Sequence, residues 1–252
     1  MKRRQGMSNQ LRMQKAMDTK DAAVINQTGI ELAAEGFYED AIDLLGEGLC
    51  MFPFDEKLRG SRGRKYIGAF NYMASIADLS LATRLNPNDW EHWYYMGVAA
   101  YLGGKYELAK DCHKNSRELM IKYNIEAIPA TVDWYWMACM KLGQKEEAEK
   151  VLDNVYEGMP SEDGDYLART LLYKGIYKPE NFVEEHMCTG LSEERTRIYY
   201  LMLSYGLANY HHYLGNQEEA VKICQMIAAI PDHHNLFAYA QAKQNLKEWG
   251  AE

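Results

Sequence analysis

The segment Leu58–Lys65 reads Leu-Arg-Gly-Ser-Arg-Gly-Arg-Lys. Arg59 and Arg62 are three residues apart, so on a helix they share one face. A guanidinium on a packed face needs a partner, because burying an unpaired charge is costly. One partner is an anionic ligand, held bidentately by Arg62 or Arg64. The other is a structural carboxylate, Asp55, Asp89 or Glu91, or simply water on a solvated face. A second charge stands out at Asp133, inside the apolar run Val132-Asp133-Trp134-Tyr135-Trp136. It could bind a cationic or hydroxylated group beside Trp134, cap a helix, or pair with an arginine. Arg169, with Tyr173 and Lys174, has the same standing further along.

Catalytic signatures are absent from the sequence. Gly103-Gly104-Lys105-Tyr106 lacks the spacing and the hydroxyl of a phosphate-binding loop, and there is no H-E-x-x-H, G-x-S-x-G or G-x-G-x-x-G. The pairs His211-His212 and His233-His234 are adjacent, and neighbours on a helix diverge by about 100° rather than share a metal. Glutamate pairs such as Glu146-Glu147 and Glu218-Glu219 suit helix starts, where they offset the dipole. No cofactor, metal or catalytic residue is assigned.

The elements that position these residues repeat. Gly29, Gly63 and Gly97 are 34 residues apart, as are Tyr38, Tyr72 and Tyr106. Ala41, Ser75 and Ala109 keep the interval, as do Gly48, Ala82 and Ser116, and Pro53 and Pro87. Each unit reads as two antiparallel helices. The first, Ile25 to Ala34, stops near Gly36; the second runs from about Glu39 to Phe52 and ends at Pro53, which cannot continue it. Gly29 and Ala41 let the pair approach closely.

This register resembles the tetratricopeptide repeat (TPR), best in Trp93, Met96, Gly97, Tyr106 and Ala109, then in Ile25, Gly29, Tyr38, Ala41 and Pro53. Repeats fall at 22–55, 56–89, 90–123, 129–162 (Gly143, Ala148, Pro160) and 201–234 (Gly215, Ala220, Pro231), with an irregular pair at 163–200. A capping helix covers 235–249, with Asn235 as N-cap and Gly250 past its end. Its Gln241, Lys243, Gln244, Lys247 and Glu248 suit a solvated cap. Residues 1–21 read as a basic leading tail. The expected fold is all-α: one right-handed α-α superhelix of about six hairpins plus the cap. Arg59–Lys65, Trp93–Gly97, Asp133–Met137 and Leu172–Gly175 also resemble a group of bacterial TPR-like proteins without an assigned activity.

The resemblance implies a non-enzymatic interaction module that takes a peptide or partner helix in a concave groove lined by the first helices. Its groove positions fall on Asn26, Gln27, Ile30, Lys57, Ser61, Arg64, Tyr94, Tyr101, Asp133, Trp134, Tyr205, Asn209 and His212. Tyr94, Tyr101, Trp134 and Tyr205 would supply apolar contact, and Arg62, Arg64 and Asp133 would fix orientation; Arg59 and Arg169 are counted with the groove. The family's carboxylate clamp for chaperone tails would need Lys, Asn, Asn, Lys and Arg where this chain has Asn26, Ile30, Ser61, Glu91 and Tyr95, so that use is not expected. In the second repeat Arg59 and Arg62 stand where an aromatic residue and a leucine belong. The alternative is a closed small-ligand or enzymatic pocket, formed if a tightly curled superhelix brings these charges together.

Composition bounds the rest. The 252 residues carry a net charge of −8, which argues against a nucleic-acid partner. Six basic residues against Asp18 make residues 1–20 net +5, leaving −13 on the remaining 232. No apolar run is long enough to span a membrane, and no apolar core follows the basic start as in a signal peptide. Cys50, Cys112, Cys139, Cys188 and Cys224 form no C-x-x-C pair, which suits a reducing cytoplasm. The partner is a protein or peptide of unknown identity; a second copy of the chain is also considered.

Overall fold

A computed structural model describes residues 2–126, 128–161, 164–213, 215–230 and 237–251. Among these, fourteen α-helices and one 3₁₀ turn account for the regular structure, with no strand. The chain forms two compact units, Met1–Leu119 and Met120–Glu252.

Unit 1 holds α1 (Lys2–Asp18), α2 (Ala22–Ala34), α3 (Tyr38–Met51), α4 (Glu56–Gly68), α5 (Tyr72–Leu85), α6 (Trp90–Leu102) and most of α7 (Tyr106–Tyr123). The first three 34-residue intervals are thus occupied by α2–α3, α4–α5 and α6–α7. Asp21, Asp55 and Asp89 open the three first helices, each side chain accepting a bond from the first turn, at Ala23 N, Leu58 N and Glu91 N. The glycine column is a packing column. A Cβ at Gly29 would stand 2.9 Å from Leu45, at Gly63 2.6 Å from Leu79, and at Gly97 2.5 Å from the His113 ring. Leu45, Leu79 and His113 are themselves one repeat apart. The turns share a second column, Gly36, Phe70 and Gly104, with φ of 90°, 58° and 71°. Phe70 adopts there a left-handed conformation that glycine takes without strain.

Residues 1–21 were read as a basic leading tail; within them Lys2–Asp18 forms the helix α1. Charge drew attention away from the i, i+3, i+4 set Met13, Ala16 and Met17, which packs on the core of Ile25, Leu32 and Leu44. Asn9 Nδ2 donates to Asp40 Oδ2 at 2.7 Å, and Arg12 pairs with Glu35 at 2.9 Å.

Unit 2 takes the end of α7, then α8 (Ile128–Lys141), α9 (Lys145–Val151), the 3₁₀ turn Leu152–Asn154, α10 (Gly164–Tyr173), α11 (Phe182–Glu185), α12 (Glu193–Tyr213), α13 (Gln217–Ala228) and α14 (Phe237–Glu248). The irregular pair at 163–200 is α10 plus the four-residue α11. The next first helix starts at Glu193 and not near residue 201; Ser192 Oγ accepts there from Arg195 N, and the Ser192 carbonyl accepts the first helical bond from Thr196 N. In α14, Gln241 and Asn245 are buried, so the capping helix is not uniformly solvated as expected. Pro231, His233, His234 and Asn235 lie outside the described residues. No described helix is long and apolar enough to cross a membrane.

Candidate functional site

In unit 1 the arginines of α4 have protein partners. Arg62 grips Asp78 of α5 bidentately, Nε to Oδ2 at 2.7 Å and Nη2 to Oδ1 at 2.8 Å. Arg59 reaches the same carboxylate at 3.4 Å and donates to Pro53 O at 2.8 Å. Hydrogen bonding to Asp78 raises the Arg62 pKa, against the lowering by burial. This explains the break in the repeat pattern: where an apolar pair would join the two helices, an Arg–Arg–Asp cluster joins them. Of the structural partners considered from sequence, Asp55 and Asp89 hold neither arginine; Asp78 does. Its position inside the apolar run Ile76–Leu79 was the missed signal. Arg64 does take Glu91, at 2.9 Å, with its guanidinium 4.8 Å from the Tyr95 ring centre.

Tyr94 and Tyr101 do not line an open face. Both are buried, Tyr94 edge-on to Trp90, Tyr95 and His113, and Tyr101 edge-on to Tyr106. Asn26 is half-buried at the surface. With Asp21, Gln27, Phe54, Asp55, Glu56 and Lys57 it lines an open cleft of about 740 Å³ at the N-terminal ends of α2 and α4. Phe54 stands 81% exposed beside it.

Unit 2 gathers the other residues in its interior. Arg169 Nη2 meets Asp133 Oδ2 at 2.7 Å, with both side chains essentially inaccessible. The guanidinium lies 5.2 Å from the Tyr166 ring centre and 5.6 Å from that of Tyr205. Met137 Sδ receives Asn209 Nδ2 at 3.2 Å. Tyr205 Oη accepts from Asn245 Nδ2 at 3.0 Å, and Trp134 Nε1 donates to Tyr166 Oη at 3.4 Å. Gly206 makes room for this packing, since a Cβ there would lie 2.3 Å from Arg169 Cγ. Burial pushes the Asp133 carboxyl up, to about 7, opposed by the Arg169 charge. Asp133, Trp134, Arg169, Tyr205 and Asn209 therefore do converge, but on each other. The sequence expectation that they line a groove is corrected by their burial: four helices close over them. His212 sits apart, with Nδ1 2.5 Å from Gln217 Oε1 and its ring stacked on Trp249.

A pocket of about 250 Å³ remains between α8, α9, α10 and α12, lined by Trp136, Tyr173, Tyr210, Tyr213, Met140 and Glu149. Trp136 and Tyr173 stack at 3.9 Å between ring centres, with Tyr213 edge-on to Trp136. Trp136 and Tyr210 were not among the site residues read from sequence, because helical spacing alone does not separate a pocket wall from core.

These units are helical-repeat structures of the TPR type. No family model matches the chain, and no curated protein matches it. Solved structures do. PilF of Pseudomonas aeruginosa is 11% identical with a TM-score of 0.53, over 90% of this chain and 98% of that one. YrrB, described as a TPR protein with an unusual peptide-binding site, is 15% identical with a TM-score of 0.52, over 93% and 98%. MamA is 12% identical with a TM-score of 0.51, over 90% and 94%. The chain has the all-α, TPR-like fold.

Proposed function

We propose that the protein is an interaction module that binds an extended peptide segment of a partner protein, and that the contact is made by unit 1. The observation that carries this reading is the cleft at the starts of α2 and α4. It is open, it presents the exposed ring of Phe54, and it keeps Asn26 and Lys57 at the surface. Exposed aromatic side chains, Phe among them, are enriched at protein interfaces relative to the rest of the surface. Asp21, Asp55 and Glu56 outnumber Lys57 on its walls, so the favoured segment is basic. The TPR-like fold supports the reading, as does the peptide-binding site attributed to YrrB. A cytoplasmic location is part of this reading and rests on the sequence, whose five cysteines show no C-x-x-C spacing.

Selection of peptides from a random phage library against the full chain tests this. Selected peptides should be Lys/Arg-rich, and Phe54→Ala should weaken them at least tenfold. Peptides that bind Phe54→Ala and wild type equally would overturn the assignment of the cleft.

A second reading has one observation in its favour, the aromatic pocket at Trp136 and Tyr173. At about 250 Å³ it lies just below the usual range of small-molecule pockets, so a fragment-sized aromatic compound is the ligand it suits. A fragment screen whose hits are lost in Tyr213→Ala would move the function to unit 2.

A further inference from the structure

We propose that Glu56, Asp89 and His92 form a binding site for a zinc-class divalent cation in unit 1, beyond the peptide reading. His92 lies on α6 and is 1% exposed. Its Nε2 is 2.7 Å from Glu56 Oε2 of α4 and 3.6 Å from Asp89 Oδ2. The three ligand atoms all lie within 4.8 Å of one another.

A hydrogen bond explains only part of this arrangement. The Glu56 contact is a good one; the Asp89 contact is too long to be one. Asp89 has already satisfied its structural task with Oδ1, which accepts from Glu91 N at 2.9 Å. Its second oxygen still turns toward His92. Ligands about 2.1 Å from a tetrahedral metal are separated by about 3.4 Å. The His92–Asp89 separation is close to that value, and Glu56, on a flexible side chain in the first turn of α4, reaches it by backing away less than 1 Å. Two carboxylates facing one imidazole leave excess negative charge that a cation neutralises.

The donor set selects the ion. Imidazole with carboxylates suits Zn²⁺ and its neighbours better than Mg²⁺ or Ca²⁺, which take oxygen alone. Glu56 and Asp89 remain partly exposed, leaving the outer side for water. The buried ring is placed by packing: a Cβ at Gly60 would stand 2.4 Å from His92 Cε1, so glycine at residue 60 is what admits it. His92 Nδ1 has no hydrogen-bond partner. Metal-bound histidines ordinarily donate from that atom, and losing such a donation weakens binding about 10- to 100-fold. The site is therefore expected to be micromolar rather than nanomolar.

The test is titration of the full chain with Zn²⁺ by calorimetry, and with Co²⁺ by visible absorption. Asp89→Asn and Glu56→Gln are the variants, since Asn preserves the N-cap and neither change empties the core. One equivalent should bind in wild type, with d–d bands of a low-symmetry Co²⁺ site. Each variant should lose at least tenfold in affinity while melting, without metal, at the wild-type temperature. Wild-type affinity in both variants would overturn the site. So would no saturable binding up to about 1 mM, a range set by the micromolar expectation, or thiolate charge-transfer bands showing that cysteine holds the metal.

Discussion

Arg62 and Arg169 each meet an aspartate at 2.7 Å, yet Arg62 keeps 22% of its side chain exposed and Arg169 keeps 1%. In unit 1 the charges replace an apolar contact within one helical pair, and the arginines stay partly exposed over a buried Asp78, which has a second arginine in reserve. In unit 2 one pair sits at the centre of α8, α10, α12 and α14 with an aromatic shell around it. Identical chemistry thus does different things at different depths. The unit 1 pair leaves part of each guanidinium in water. The central pair fixes how helices meet, because neither charge tolerates losing the other in a dry interior.

The largest effect should come from breaking the central pair. Arg169→Ala leaves Asp133 buried and alone and is expected to cost about 3–5 kcal/mol in denaturant unfolding. The double variant Asp133→Leu with Arg169→Met should recover most of that loss, since apolar replacements of a buried pair are tolerated.

Acid should act on unit 1 through His113. Burial lowers its pKa to about 3, so the folded chain holds it neutral while the unfolded chain protonates near pH 6.5. A base with a depressed folded pKa contributes stability that is present above its unfolded pKa and lost as the pH falls toward the folded one. Between pH 6.5 and 5 the loss should be about 1.6 kcal/mol, the slope approaching roughly 1.4 kcal/mol per unit once most unfolded chains are protonated. His113→Leu, which restores the residue type of Leu45 and Leu79 in that column, should flatten the dependence. An unchanged slope would show that other groups set it.

Smaller changes are expected at the rim. Arg62→Ala should cost about 1 kcal/mol, because the pair is partly solvated and Arg59 remains. If its cost matches that of Arg169→Ala, depth is not what separates the two pairs. Phe54→Ala should leave stability within about 0.5 kcal/mol of wild type while weakening peptide binding.

The repeat architecture was legible because close helix contact demands small residues, and Gly29, Gly63 and Gly97 mark it at fixed intervals. That signal fades after residue 123, where Gly206 serves Arg169 rather than the register, so the start of α12 was misplaced. Arg59, Arg62 and Asp133 were legible as charges needing partners. Their depth was not, because an arginine at a given helical position reads alike whether its neighbours leave a rim or close over it. Asp78 and His92 went unnoticed for the same reason: each looks like one polar residue in a helix until the packing supplies its counterpart.

The central claim is that partner contact belongs to the open cleft of unit 1 and that the polar centre of unit 2 is structural. Hydrogen exchange of the full chain, with and without a library-selected peptide, tests it most directly. The account predicts new protection confined to residues 21–27 and 54–57. Protection appearing instead at residues 133–137, 166–173 and 205–209 would contradict it.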